Sequence, residues 1–436
     1  MLYLNVRYQF APPDSPGPLA GGIVATSAMP LDQLMRRDFK KYPYLQHRLL
    51  DPQLYLAGLD PNVARGTVVK LATFPWFAKH DVPPFDSGKH GSLAKWKREH
   101  SDQLVASWRR RPPSGADIAD AARAAVQTQI DLGCNAVILA GPLTTVATQH
   151  FATETEWIDA GLAACKELRV TLPVFATIAV SDNVLRGVEA TEHPLLHTIT
   201  NQITARDQLA GAYLILEQTG EDQYVCTRRE SLMAMMLIAD DLVRGASRQV
   251  IANYVGTFGP VLAAVGAAIW STGYYVSQRR MNLASFDERM GRAKPRYFSH
   301  QLAGDVGLEK DLPAVFKSGL GDKVLTETTA GSVVGKALKS GTYPRSVPQW
   351  QYRPSVIQAA MSHYTEAMST FGAELRSYEP VRRADAVHKW LKQAVRLAES
   401  LERIGIQKSS VTDLVHQRVW LDVFEEWRQR AGLLST

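Results

Sequence analysis

Two carboxylates near the ends of apolar, strand-like segments have types and spacing that suit catalysis. Asp182 follows the segment 174–180, and Glu217 ends the run 213–216. Glycosyl transfer or hydrolysis needs one carboxyl group for proton transfer and a second that stabilises or attacks the oxocarbenium centre. We predict Glu217 and Asp182 as this pair. Asp182, like Asp60 after an earlier segment, is also placed to cap a helix, whereas Glu217 is an even choice between function and structural pairing.

Basic and histidine side chains between residues 279 and 300 suggest a phosphorylated ligand. His300 is predicted to assist as an acid or base, or to donate to a phosphate, with a structural histidine as the alternative. Arg279 and Arg280 suit a phosphate or nucleotide, although a surface loop has the same composition.

The segment 78–116 interleaves Trp96 and Trp108 with basic residues. Lysine and arginine neutralise phosphates, and indole rings stack on bases, so the segment is a candidate nucleic-acid surface. The alternative is an amphipathic helix over 92–111 whose tryptophans pack on the protein while its charges face water. The predicted phosphate contacts in this segment are Lys97, Arg98, Arg109, Arg110 and Arg111.

Other motifs do not match their templates. The segment 331–337 resembles a phosphate loop, but its glycine spacing is one residue short and Ala337 replaces the magnesium-binding Ser or Thr. His193 and His197 lack the central Glu of a zinc-peptidase helix and are typical of a helix start. We therefore predict no metal and no cofactor.

The elements that position these residues follow a βα alternation, which predicts an α/β protein with a (β/α)₈ TIM-like barrel. An open doubly wound sheet is the competitor, but no Gly-x-Gly-x-x-Gly follows its first strand. The predicted strands are Leu54–Leu59, Val68–Phe74, Ala136–Ala140, Val174–Val180, Ala212–Glu217, Val250–Val255, Ala268–Tyr274 and Arg296–Leu302. The predicted amphipathic helices between them include Ile118–Leu132, Glu154–Leu168, Leu195–Leu209 and Arg229–Val243.

Three regions are predicted along the chain. Residues 1–45 form an N-terminal β extension with a hairpin of Leu2–Phe10 and Gly22–Ala25, and residues 46–344 form the barrel. Residues 345–436 form a helical domain. Its predicted helices are Ser355–Ser377, Arg383–Arg403 and Val411–Ala431.

The composition is that of a globular protein. The chain has 436 residues, 45% of them hydrophobic and 21% charged, which excludes disordered, collagen-like and coiled-coil classes. The formal net charge is +6, which suits a polyanionic partner. Three scattered cysteines and the N-terminal sequence favour a cytoplasmic location. No Asp, Glu, Lys or Arg occurs between Arg248 and Arg279, but glycines and a proline divide this run into a strand, a short helix and a strand, so no membrane helix is expected.

A short region resembles the last barrel strand of the tRNA-guanine transglycosylase superfamily. The similarity lies in Pro295–Phe298, Gly304 and Gly307–Leu312, with the strand end Val255-Gly256 adding to it. Members of that family bind RNA or DNA and exchange a base through a carboxylate nucleophile, with a cysteine-rich zinc site. Here the cysteines do not form that cluster and no matching nucleophile motif occurs, so the resemblance implies a barrel that engages nucleic acid but assigns no catalytic residue.

Three functions follow as hypotheses. The leading one is a barrel protein that engages nucleic acid or a nucleotide, with glycosidic-bond chemistry if it is catalytic. The second is a non-catalytic subunit of a multiprotein bacterial assembly, such as a phage-defence complex, that binds a protein partner through its C-terminal helices. The third is a metabolic enzyme that acts on a small phosphorylated molecule through Arg279 and Arg280.

Overall fold

The computed structural model describes residues 1–7, 10, 17–108, 111–146, 151–188, 193–219, 225–286, 294–350, 354–409 and 411–433, with the backbone alone for 87 and 354–357. The strands are β1 Leu2–Val6, β2 Gly21–Ala25, β3 Arg48–Asp51, β4 Val137–Leu139, β5 Leu143–Thr144, β6 Val174–Ser181, β7 Gly211–Glu217, β8 Gln249–Asn253, β9 Ile269–Gly273, β10 Arg296–Ser299 and β11 Gly304–Gly307. The helices are α1 Leu31–Met35, α2 Arg65–Leu71, α3 Ser87–His90, α4 Leu93–Ser107, α5 Asp117–Asp131, α6 Ala152–Glu167, α7 Pro194–Thr204, α8 Arg229–Asp240, α9 Gly259–Val265, α10 Asp311–Lys317, α11 Gly321–Val324, α12 Gly331–Lys339, α13 Pro354–Arg376, α14 Pro380–Arg403 and α15 His416–Arg430.

Eight parallel strands form a nearly closed (β/α)₈ TIM-like barrel. Their order is β3-β2-β1-β9-β8-β7-β6-β4, with the short β5 beside β6. The first and last barrel strands pair in parallel, with Leu4 opposite Thr272. Between β3 and β4, the Asn135 backbone N–H donates to the Arg48 carbonyl at 2.9 Å and the Arg48 N–H donates to Asn135 Oδ1 at 2.7 Å. These two hydrogen bonds link the edge strands β3 and β4 across the gap in the barrel.

The composition of the strands explains their place in the barrel. All eight residues of β6 and all seven of β7 are buried, because a parallel strand has the barrel interior on one face and helices on the other. In β7, Leu214 and Leu216 belong to one apolar cluster, and Tyr213 and Ile215 belong to another. This alternation directs Glu217 to the same side as Tyr213.

The C-terminal helices pack on the barrel. Helix α13 lies against β1 and α9, α14 lies against α9, and α15 lies against α8. Trp390, Trp420 and Trp427 are buried in the same apolar cluster as the barrel strands. Their burial shows that these aromatic side chains pack within the chain. A protein partner for these helices, and a domain boundary at residue 345, stay predictions.

Five of the predicted strands, from Ala136–Ala140 to Ala268–Tyr274, are confirmed as barrel strands β4, β6, β7, β8 and β9. The other three are not barrel strands. Leu54–Leu56 is a 3₁₀ turn and Arg65–Leu71 is a helix, while β10 pairs only with β11, antiparallel, among the described strands. The predicted hairpin near the N-terminus is wrong as well, because β1 and β2 pair in parallel and belong to the barrel.

The uncharged run after Arg248 forms β8, α9 and β9, as its glycines predict. Throughout the described ranges, every helix is too short or too polar to cross a bilayer.

Candidate functional site

The carboxyl ends of the barrel strands meet at one end of the barrel, which we call the mouth. In barrels of this type the groups that act on a ligand stand at this end. Both predicted carboxylates are there. Ser181 of β6 is opposite Glu217 of β7, and the Asp182 backbone N–H donates to the Glu217 carbonyl at 2.8 Å. The predicted pair is therefore brought together on neighbouring strands.

Asp182 is held by three donors. Its Oδ1 accepts from Thr219 Oγ1 at 2.7 Å, and its Oδ2 accepts from the Thr219 backbone N–H at 3.0 Å. Arg228 Nη1 lies 2.9 Å from the same Oδ2. These contacts fix the loop after β7. Because both oxygens are engaged, Asp182 supplies negative charge to the mouth rather than a free nucleophilic oxygen.

Glu217 has a different environment. Its side chain is buried, and burial raises the pKa of its carboxyl group. A hydrogen bond from Ser181 opposes this shift, and the nearby charge of Asp182 adds to it. A carboxyl group with a raised pKa holds its proton to higher pH and can donate it to a leaving group.

The sequence interpretation missed a second cluster of polar groups, which is centred on Asp51 at the end of β3. The Asp51 carboxylate accepts from Tyr55 Oη at 2.5 Å, from the Gln53 backbone N–H at 3.1 Å and from Asn253 Nδ2 at 3.2 Å. Tyr254 Oη lies 3.4 Å away. Burial raises the pKa of Asp51 to about 6, although its hydrogen bonds act to lower it.

Residues from several strands complete this Asp51 cluster. Asn5 of β1 donates from Nδ2 to Asn253 Oδ1 at 2.8 Å, and Ser271 of β9 donates to the same oxygen. Tyr213 of β7 bonds to Asn253 Nδ2. The backbone of Tyr254 has φ 57°, a left-handed conformation that a tyrosine rarely adopts. Such strain is concentrated at functional sites, and here it places the Tyr254 ring at the end of β8.

The segment 275–286, which we call the mouth strap, runs across this end of the barrel. Met281 forms a β-bridge to Glu217, and the Gln218 backbone N–H donates to the Met281 carbonyl at 2.9 Å. Arg7, which follows β1, donates to Ser285 Oγ at 2.8 Å and to the Ser285 carbonyl at 2.7 Å. The strap is therefore tied to the end of β1 and lies against Glu217.

A cleft lies between the ends of β7 and β8 and the C-terminal region, and we call it the side cleft. The two residues that flank Glu217, Leu216 and Gln218, line it. The strap contributes Arg279 and Arg280. Its other lining residues are Val225, Cys226, Leu232, Met235, Tyr254, Val255, Gly256, Thr257, Phe258, Arg296, Gly304, Asp305, Ser409, Val411, Asp413, His416 and Trp420.

Arg279 is anchored in the wall of this cleft. Its Nη1 lies 3.2 Å from Asp305 Oδ2, which Arg296 also approaches at 3.0 Å. Its guanidinium lies 3.3 Å from the centre of the Tyr364 ring. The two arginines hold the pKa of Asp305 below its usual value even though burial acts to raise it.

His300 does not lie at the end of a barrel strand, because β10 belongs to the separate two-stranded sheet. Its ring packs on Phe371 of α13 and Trp390 of α14, with centroids 4.5 and 5.7 Å away. Burial lowers its pKa to about 4, so the imidazole is neutral near pH 7. This environment is that of the structural alternative, and a catalytic role stays a prediction.

The segment 78–116 contains the amphipathic helix that was the alternative to a nucleic-acid surface, and this helix is α4. Trp96 and Trp108 are buried, and their Nε1–H groups donate to the Pro83 and Leu59 carbonyls, each at 3.1 Å. The indoles are thus engaged by the protein and are not placed to stack on bases. Lys97 is half-buried on α4, Arg98 and Arg111 are exposed, and Arg109 and Arg110 lie outside the described residues.

No group of three or more His, Cys, Asp or Glu side chains that could hold a metal ion occurs within the ranges that the structure describes. Burial raises the pKa of Cys226, which lines the side cleft, to about 12, so this thiol is a poor ligand and a poor nucleophile.

The Asp51 cluster left only a weak sequence signal. Asp51 follows Arg48-Leu49-Leu50, an apolar pair too short to be recognised as a strand. Asn253 and Tyr254 stand at the carboxyl end of a correctly predicted strand. Two polar side chains at that position indicate a candidate site residue, because ligands bind at this end of barrel strands.

Comparisons with known proteins add little to this description. No protein-family model matches the chain, and no curated protein sequence matches it either. Among solved structures, it is similar to a dihydrodipicolinate synthase from Oceanobacillus iheyensis at 12% sequence identity and a TM-score of 0.24. That match covers 87% of this chain and 88% of the other.

Proposed function

We propose that this protein is a barrel enzyme that cleaves or exchanges a glycosidic bond in a nucleotide or a nucleic acid. The observation that carries the proposal is the position of Glu217: a buried carboxyl group with a raised pKa, at the end of β7 and next to Asp182 in the barrel mouth.

In this proposal Glu217 donates a proton to the departing base. Departure leaves positive charge on the sugar, which a nearby carboxylate stabilises. Water, or an incoming base, then bonds to the anomeric carbon and returns a proton to Glu217. Asp182 supplies the stabilising negative charge from its fixed position beside Glu217, and it acts through space because its oxygens already accept hydrogen bonds. His300 has no part in this scheme, because its ring lies between α13 and α14.

The substrate is assigned from the arginines of the side cleft. Guanidinium groups bind phosphate oxygens in a bidentate manner, so Arg280 and the Arg279–Asp305–Arg296 group suit a phosphorylated ligand. Binding of a longer nucleic acid along α4 has weaker support, because Trp96 and Trp108 are buried. Arg98 and Arg111 remain exposed there and are the residues to test for that alternative.

The test is release of a free base. We expect the purified protein to liberate base from a nucleotide or a short oligonucleotide, as measured by liquid chromatography and mass spectrometry. Glu217→Gln keeps the shape of the side chain but has no proton to donate, so we expect turnover to fall at least about 100-fold. The melting temperature should be unchanged or higher, because the variant buries no ionisable group.

The matched control is Glu167→Gln, which alters an exposed glutamate that pairs with Arg123 on the outer helices. It should retain wild-type turnover. Absence of base release by the wild-type protein from the whole substrate panel would refute the proposed reaction. Full activity of Glu217→Gln would remove this residue from it.

A further inference from the structure

Five exposed basic side chains form a straight stripe along helix α14. Four of them stand seven residues apart, and the fifth lies between the second and the third. With 3.6 residues per turn, all five fall within an arc of about 80° and extend about 31 Å along the helix axis. This α14 stripe consists of Arg382, Lys389, Lys392, Arg396 and Arg403.

The charges of the stripe are not neutralised by the protein. None of the five side chains forms an ion pair with a carboxylate of the described residues. Arg382 lies over the Tyr378 ring, 4.3 Å from its centre, and Arg403 donates to the Glu399 carbonyl at 3.3 Å. Both contacts leave the positive charge in place. The stripe therefore presents five cationic groups to solvent.

The acidic residues of the same helix do not offset these charges. Asp385, which lies within the arc, pairs with Arg428 Nη2 at 2.5 Å and so balances a buried guanidinium group. Glu399 pairs with Arg418 of α15. Glu402 points about 80° away from the edge of the arc.

The pattern is unfavourable for the helix by itself. Lys389 and Lys392 are three residues apart, and Lys392 and Arg396 are four apart, so their charges repel each other on one face. Elsewhere on the surface, Arg123 pairs with Glu167 in the usual way. An anion bound along the stripe would relieve the repulsion.

The surroundings of the stripe favour a polyanion over a membrane surface. A helix that lies in a membrane interface inserts an apolar face between the lipids. The apolar face of α14, with Val387, Leu391 and Ala394, is buried in the core instead. Val381 and Ile404 are exposed, but they lie at opposite ends of the helix and form no common face.

The shape of the stripe favours a duplex over a single strand. Proteins that bind single strands stack exposed bases on aromatic rings, whereas the indole of this helix, Trp390, is buried. A rigid row of about 31 Å nearly matches one turn of a nucleic-acid duplex, which is about 34–36 Å. Lysine and arginine at this surface can contact phosphates without reading the bases.

We propose that the α14 stripe binds the phosphate backbone of a nucleic-acid duplex, independently of base sequence. The surface differs from the segment 78–116, and it lies on the C-terminal helices rather than at the barrel mouth. The proposal goes beyond the proposed reaction and does not depend on it.

Fluorescence anisotropy with the full-length protein tests the proposal. The labelled probes are duplex DNA and duplex RNA of about 20 base pairs, and a single strand of the same length. Each phosphate contact contributes about −0.9 to the slope of log K against log salt concentration, so five contacts predict about −4.5 for a duplex. Absence of duplex binding at about 50 mM salt, or equal affinity for the single strand, would overturn the proposal.

A triple variant locates the surface. Lys389→Gln, Lys392→Gln and Arg396→Gln together should reduce the slope to about −1.8 and weaken duplex binding at least about tenfold at 100 mM salt. The melting temperature should not fall, because these side chains are exposed and repel each other.

The matched control removes two lysines and one arginine from exposed positions outside α14. It carries Lys40→Gln, Lys166→Gln and Arg169→Gln, so its net charge equals that of the stripe variant. The control should bind duplex much more tightly than the stripe variant. Equal loss in both variants would mean that net charge, and not the stripe, determines binding.

Chemical labelling of the wild-type protein tests the location without any substitution. Bound duplex should slow acetylation of Lys389 and Lys392, measured by mass spectrometry, and should leave Lys166 unaffected. Protection of Lys97 without protection of the stripe would place the duplex on α4 and refute the proposal. Binding to phosphatidylserine vesicles that the stripe variant loses, without duplex binding, would assign the stripe to a membrane instead.

The proposed reaction and the stripe fail separately. Glu217→Gln should bind duplex with wild-type affinity, because Glu217 is buried at the barrel mouth. Duplex binding without base release would sustain the stripe and refute the reaction. Base release from a nucleotide without duplex binding would sustain the reaction and refute the stripe.

Discussion

At the scale of single residues, the fold strongly alters the ionisation of Asp51. It is fully buried, it is bonded by tyrosine and asparagine side chains, and its pKa is raised from 3.8 to about 6. Glu217 shifts in the same direction for the same first cause, burial. The mouth therefore contains two carboxyl groups that hold protons above the usual pH range of carboxylic acids, which suits acid–base chemistry.

Asp51→Asn should change how stability depends on pH. The folded protein keeps the Asp51 proton up to about pH 6, whereas the unfolded chain loses it near 3.8. The wild-type free energy of unfolding should therefore fall, relative to that of the variant, as pH rises from about 4 to about 6, by about 3 kcal/mol in total. Above that range the difference should be constant.

Urea unfolding midpoints of both proteins at four pH values between 4 and 7.5 measure this difference. Asp207→Asn, which alters a fully exposed side chain, is the control and should follow the wild-type profile. Parallel profiles for the wild-type protein and Asp51→Asn would show that Asp51 does not titrate in this range.

At the scale of elements, strands were predicted correctly where an apolar run follows a predicted helix. The prediction failed where an apolar run fits a helix as well as a strand. Val68, Leu71 and Ala72 have the i, i+3, i+4 spacing of a helix, but the β-branched pair at 68–69 suggested a strand. The sequence also indicated β1 as a strand. It could not indicate that β1 pairs in parallel with β9, because that contact joins residues more than 260 positions apart.

The absence of long-range information in the sequence also explains which site residues were predicted and which were missed. Asp182 and Glu217 were found because each stands at or near the end of a recognisable strand. The Asp51 cluster combines side chains from β1, β3, β7, β8 and β9, and no local pattern shows that these converge. His300 was predicted at the end of a barrel strand for a related reason. The sequence of β10 indicates a strand, but it does not indicate which sheet that strand joins.

The Arg7 side chain holds the end of the mouth strap. The Arg7 guanidinium lies 3.1 Å from the centre of the Phe286 ring and donates to Ser285. Arg7→Met should leave these groups unpaired and open the strap, so that trypsin cleaves after Arg279 or Arg280 about tenfold faster.

Limited proteolysis with mass spectrometry of the fragments measures the opening. Arg244→Met, which removes an arginine paired with Asp240 on the surface, provides the control and should be cleaved at the wild-type rate. If Arg7→Met and the wild-type protein gave the same fragments at the same rate, Arg7 would not hold the strap.

At the scale of the whole molecule, the barrel and the C-terminal helices share one apolar core. Helix α13 closes the barrel on the side of β1, where Gly372 lies so close to the sheet that an added Cβ would meet the Trp270 ring at 3.2 Å. Trp420 of α15 packs on Phe258, which precedes α9. Removing these helices would expose a continuous apolar surface on the barrel strands and on α8 and α9.

A chain truncated after residue 345 should therefore aggregate or bind a hydrophobic dye strongly, because the barrel loses the helices that cover β1, α8 and α9. Size-exclusion chromatography and dye fluorescence measure the outcome, and a chain that lacks only residues 434–436 is the control. A soluble, monomeric barrel with the wild-type melting temperature would mean that the helices form an independent unit and are free to serve a partner. The burial of Trp390, Trp420 and Trp427 in the shared core favours the first outcome, since each fully buried tryptophan contributes several kcal/mol that the truncated barrel would forfeit.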